Sequence, residues 1–133
     1  MTTSDPLALA RVWVEALNSG DPDAVIAVSH EDVVLVPRLV GVEGGGYEGH
    51  DGVRRWLGER AEVWREMTGE LTGLRVIGDG VAGTGVLRGT SRATGLTVDE
   101  PIAGVIRFRG EKAYWIGFFR TEAEALAESG LSG

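Results

Sequence analysis

Val12-Trp13-Val14-Glu15-Ala16-Leu17-Asn18-Ser19-Gly20-Asp21-Pro22-Asp23 joins the end of one helix to the start of the next. Leu9, Val12, Trp13, Ala16 and Leu17 recur at helical spacing, behind an opening Asp5-Pro6. Gly20 suits the left-handed residue that stops this helix, Asp21 can cap the second, and Pro22 fits its first position. The second helix is short, Pro22 to Ser29, with Val25, Ile26 and Val28 available for burial. The run from Asp32 to Pro37 is apolar on both alternations, which predicts a strand covered on both faces.

Beyond it, Arg38 to Gly49 forms a Gly-rich loop. The spacing of Val53, Trp56, Leu57, Val63, Trp64 and Met67 predicts a third helix over 51–67. After Gly69 the period changes to two, predicting strands at 70–77, 81–92, 96–108 and 112–120. The short turns at Gly78-Asp79-Gly80, Thr94-Gly95 and Gly110-Glu111 favour an antiparallel meander. Thr121-Glu122-Ala123-Glu124 is a capping box that opens a short C-terminal helix. Helices first and a meander afterwards indicate an α+β architecture.

At 133 residues the chain is a single domain, 1–133, with enough length to bury about two thirds of its unfolded surface. A net charge of −7 argues against a nucleic-acid partner, because phosphate binding needs a basic surface. The absence of cysteine removes disulfides, thiolate nucleophiles and cysteine-ligated metals. No apolar run approaches the roughly 20 residues that cross a bilayer. Met1 to Pro6 carries neither a basic region nor a signal-like core, so a cytoplasmic location is expected. Twelve arginines against the single Lys112 fit a GC-rich bacterial genome.

Gly44-Gly45-Gly46-Tyr47-Glu48-Gly49 has the G-x-G-x-x-G spacing, but a dinucleotide site needs it directly after a strand in a βαβ unit. His30 and His50 stand at element boundaries and form no ligand motif. There is no nucleophile elbow and no Walker-type Gly-Lys-Ser/Thr. Neither a cofactor nor a metal is expected. In the third helix Glu59, Glu62 and Glu66 dilute Arg54, Arg55 and Arg60, giving a solvated face with no membrane partner. Arg60 stands apart, four residues from both Trp56 and Trp64 and beside the apolar stripe. Glu100, Ile102, Gly104, Ile106 and Phe108 share one strand face, as do Tyr114, Ile116, Phe118 and Arg120 on the next strand. Trp115 and Phe119 occupy the opposite face of that strand.

The order of Trp13–Asp23, His30-x-Asp32-Val33, Tyr47-Glu48-Gly49-His50-Asp51-Gly52-Val53, Val98-Asp99-Glu100-Pro101 and Glu124–Leu131 resembles the SnoaL-like branch of the nuclear-transport-factor-2-like superfamily, which includes the ketosteroid isomerases. The resemblance implies a cone-shaped, curved, mostly antiparallel sheet of the cystatin-like kind, wrapped by three N-terminal helices. It also implies an apolar interior and a homodimer formed through the sheet. In a ketosteroid isomerase a Tyr and a protonated Asp stabilise an oxyanion while another Asp moves the proton. The corresponding positions here carry Trp13, Gly104 and Val36, so isomerisation by that route has no base. What remains is a binding protein for a small apolar molecule, its reaction unassigned, with a pocket formed by Trp13, Val36, Tyr47, Trp56, Arg60, Ile102, Gly104, Ile116, Phe118 and Arg120. One alternative is a lyase, isomerase or cyclase using Glu100 with Arg120 or Arg60 as base and clamp. Another is a non-catalytic dimerisation module.

Overall fold

The two opening helices form as their caps require. In the computed structural model, which describes residues 5–37 and 46–131, α1 spans Pro6–Ser19 and α2 spans Pro22–Ala27. The Asp5 and Asp21 carboxylates accept hydrogen bonds from the amides of Leu7 and Asp23, and Gly20 turns the chain between them at φ 73°. Ala10, Trp13 and Leu17 are the buried stripe of α1. Val12, expected on that stripe, is 47% exposed.

Strand β1, Ser29–Pro37, starts three residues earlier than its apolar run suggests. Buried Ser29 explains the early start: its hydroxyl donates to the Val25 carbonyl (2.8 Å) and accepts from Trp13 Nε1 (3.1 Å), pinning the strand under α1. Val33 and Leu35 are sealed in the core, while Val34 and Val36 on the other face are half-buried. The expected loop over 38–49 is shorter at its far end. Tyr47–Glu48 forms β2, antiparallel to β1 with Leu35 opposite Tyr47. Gly44 and Gly45 of the glycine motif lie outside the described residues.

Helix α3, Gly49–Val63, ends before the predicted Met67. Trp64 leaves helical geometry at φ −114° and ψ 126° and begins β3, Trp64–Ile77, in register with Ser91 of β4, Gly80–Ser91. Strand pairing overrides the helical spacing of Trp64 and Met67. The meander continues through β5, Thr97–Arg109, and β6, Lys112–Phe119. The six strands form one curved sheet in the order β2-β1-β6-β5-β4-β3, antiparallel except for the β1–β6 pair. The chain is therefore α+β, with three helices ahead of the meander. Helix α4, Glu122–Ser129, follows a Thr121 cap whose hydroxyl accepts from the Glu124 amide.

Two apolar clusters flank the sheet. Trp13, Val33, Leu35, Val53, Ile106 and Ile116 belong to the larger one, shared with α1 to α3. Ala103, Val105 and Phe119 form the smaller one with Ala125 of α4. Phe119 is thus 2% exposed and stacked on half-buried Trp115 beneath the chain's own helix. Within the single chain Phe119 is covered, and Trp115 keeps part of its ring exposed. Among the described residues no helix is long and apolar enough to cross a membrane.

Candidate functional site

Helix α3 bridges the open end of the larger cluster and leaves a cavity of about 290 Å³ against the sheet. Trp56 supplies one wall and is stacked on Phe118 of β6, with ring centroids 6.3 Å apart and planes at 19°. Ile102, Leu87 and Leu71 extend the apolar surface across β5, β4 and β3. Gly89 leaves room for a third aromatic: a Cβ there would meet the Trp64 ring at 2.8 Å, and Trp64 lines the cavity. Asn18 at the end of α1 holds the edge strand in place. Its amide donates to the Gly69 carbonyl (2.8 Å) and accepts from the Gly69 amide (2.9 Å), as a neighbouring strand would.

Tyr47, Glu59 and Arg60 bring polar groups to this apolar wall, and Glu100 lines it from β5. Tyr47 is seated by its pairing with β1 and by Gly52, where a Cβ would lie 3.1 Å from the Tyr47 carbonyl carbon. Its hydroxyl donates to Glu59 Oε1 at 2.6 Å. That hydrogen bond, then burial and the Glu59 charge, raise the Tyr47 pKa above the ordinary tyrosine value; Arg55, 4.8 Å over the ring, opposes the rise. Arg55 also lies 4.0 Å from Glu59.

Arg60 stands one residue further along α3. Its guanidinium lies 5.6 Å over the Trp56 ring, donating through Nε to Met67 Sδ (2.8 Å) and through Nη2 to the Met67 carbonyl (2.9 Å). Both acceptors are neutral. Burial pulls its pKa down to about 10, which still leaves it charged at neutral pH.

Of the residues expected to form the pocket, Tyr47, Trp56, Arg60, Ile102 and Phe118 line it together, as does Glu100. The others do not reach it. Trp13 is fully buried behind Phe118, ring centroids 6.1 Å apart, and its N–H is engaged by Ser29. Val36 packs with the smaller cluster on the opposite face of the sheet. Gly104 is covered by the Phe118 ring, which a Cβ would meet at 3.3 Å. Ile116 is sealed in the core, and Arg120 is exposed just past the end of β6. The supposed clamp is not assembled: among the described residues exposed Glu100 makes no ion pair with Arg60 or Arg120.

Glu59 and Trp64 line the cavity although neither belongs to the expected pocket, and so do Met67, Leu71 and Leu87. The hint for Glu59 was its place three positions after Trp56, on the same helical face. Trp64 falls in the span expected to be helical, and it is its place at the start of β3 that puts the ring on the cavity wall. His50 Nε2 and His30 Nε2 contact the Ser29 and Arg109 carbonyls at 3.1 and 2.8 Å, and neither ring lines the cavity. Among the described residues no group of three potential ligands could hold a metal. A second polar cluster lies elsewhere on the surface: Asp79 accepts from Arg107 Nε (2.8 Å) and from the Tyr114 hydroxyl (2.5 Å).

Comparison with known proteins gives a consistent picture. Residues 10–116 match the family model described as a SnoaL-like domain. No curated protein matches the chain. An NTF2-like protein of unknown function from Burkholderia pseudomallei superposes with a TM-score of 0.78 at 22% identity, covering 94% of this chain and 97% of its own. An NTF2-like protein from Burkholderia thailandensis gives 0.76 at 25% identity, covering 96% and 98%. A putative polyketide cyclase from Streptomyces antibioticus gives 0.73 at 20% identity, covering 95% and 99%.

Proposed function

The chain belongs to the family of SnoaL-like domains, and we propose that it is a small-molecule-binding protein whose apolar ligand occupies the cavity beneath α3. The observation that carries this reading is the cavity itself, about 290 Å³ and walled by Trp56, Trp64, Phe118 and Ile102 with a few convergent polar groups. Small-molecule sites have this character and run from about 300 to 1,000 Å³, so the compound is one of about two fused rings. A cavity of this size counts against a sheet that serves only as a dimerisation surface.

Trp56 and Trp64 make the test direct. Neutral naphthalene derivatives are expected to quench the intrinsic fluorescence and to raise Tm, with a stabilisation of about 2.7 kcal/mol when free ligand is 100 times Kd. Leu71→Trp, at a half-buried wall position, is expected to fill the cavity and abolish both responses. If no bicyclic aromatic binds at millimolar concentration, the reading is wrong.

A second reading is catalysis, favoured by the Tyr47–Glu59 hydrogen bond on the cavity wall. In it the phenolic oxygen takes a ligand proton while its own passes to Glu59. This is the lyase, isomerase or cyclase alternative with a different proton carrier from Glu100 and Arg120. Once a substrate is known, Tyr47→Phe should cut kcat by about 10²-fold or more with little change in ligand affinity. Unchanged turnover would eliminate the Tyr47–Glu59 route.

A further inference from the structure

We propose that the open edge of the Arg60 guanidinium is an anion-binding subsite, which selects, among apolar ligands, those carrying a carboxylate at one end. The proposal rests on the small-molecule reading above and names the ligand chemistry of that site. Nε and Nη2 of Arg60 are satisfied by the Met67 sulfur and carbonyl, whereas Nη1 makes no hydrogen bond among the described residues. A planar guanidinium with one edge anchored presents its remaining N–H donors as a fixed fork, the geometry that matches a carboxylate.

Charge bookkeeping around the cavity points the same way. Arg60 is the one cation among the described residues that line it, and it forms no ion pair there. The two lining carboxylates leave it unneutralised: Glu59 is held by the Tyr47 hydroxyl and Arg55, and Glu100 stands in solvent. A partly desolvated charge with only neutral partners is unfavourable, and an entering carboxylate offsets that cost where a neutral ligand cannot. The apolar and cationic parts of the wall are also contiguous, because Trp56 is stacked on Phe118 and lies under the Arg60 guanidinium. Retention of the charge at neutral pH, despite partial burial, fits this role.

A smaller cavity of about 120 Å³ also touches Arg60 but not Leu71, and this difference lets one experiment decide. Calorimetry would compare 2-naphthoate with its neutral isostere 2-naphthamide. On the unsubstituted chain 2-naphthoate should bind at least about tenfold more tightly, the scale of a charge-assisted bidentate contact. In Arg60→Met, or Arg60→Gln should the methionine variant fold poorly, that ratio should fall close to one. Leu71→Trp should abolish binding of both probes. Equal affinities on the unsubstituted chain overturn the subsite and leave the apolar cavity standing. A preference that survives loss of Arg60, or 2-naphthoate binding that survives Leu71→Trp, places the anion elsewhere and also overturns it. Binding of neither probe overturns the small-molecule reading and the subsite with it.

Discussion

Asp79, in the turn between β3 and β4, ties two strands that follow it in the chain. Its carboxylate is held below the usual range chiefly by the Arg107 hydrogen bond, with help from Tyr114 and against a desolvation that pushes the other way. The folded form therefore binds its proton less readily than the unfolded form. The stabilisation is present above about pH 4 and is lost as the pH falls through the depressed pKa. Because the pair is partly solvated, Asp79→Asn should cost no more than about 1 kcal/mol at pH 7. The gap between Asp79→Asn and the unsubstituted chain should shrink at pH 3 in urea titrations. An equal gap at both pH values would remove the ionic explanation. Among single residues, side-chain chemistry was legible at Tyr47, Trp56 and Arg60. Alternation along a strand gives the face of a residue but not its depth, and that is why Phe118 lines the cavity while Ile116, on the same face, is sealed below it.

At the scale of elements, local chemistry carried the fold well. The caps at Asp5, Asp21 and Thr121 and the turns of the meander lie where their residue types require. The failure at the end of α3 came from a long-range cause: nothing between Val63 and Met67 announces that Ser91 and Gly89 will pair there. The Asn18 clip on Gly69 was equally hidden, since it depends on how α1 lies across the edge strand. Asn18→Ala removes both hydrogen bonds and leaves a strand edge open, so a loss of about 1–3 kcal/mol is expected by urea denaturation. Affinity for naphthalene probes should weaken in the same variant, because Gly69 is part of the cavity wall. Undiminished affinity would show that the edge strand keeps its position without the clip.

For the molecule as a whole, α4 turns a two-faced sheet into a covered one. Ending the chain after Arg120 removes Ala125 and Leu126 from the surface of Phe119, Ala103 and Val105. The shortened protein should unfold at lower urea and self-associate in gel filtration at micromolar concentration. An elution volume and a stability unchanged from those of the intact chain would mean that α4 is dispensable. The strand order carries a different consequence, for the history of the chain. Leu35 finds its partner Ile116 only when the last strand has been made, and the β1–β6 pair is the parallel one. The helices pack on β1 and on one another, but the sheet is joined across β1 and β6 only after the last strand has been made. That junction closes a loop of most of the chain, and such a long-range contact is expected to form more slowly than the local pairings of the meander.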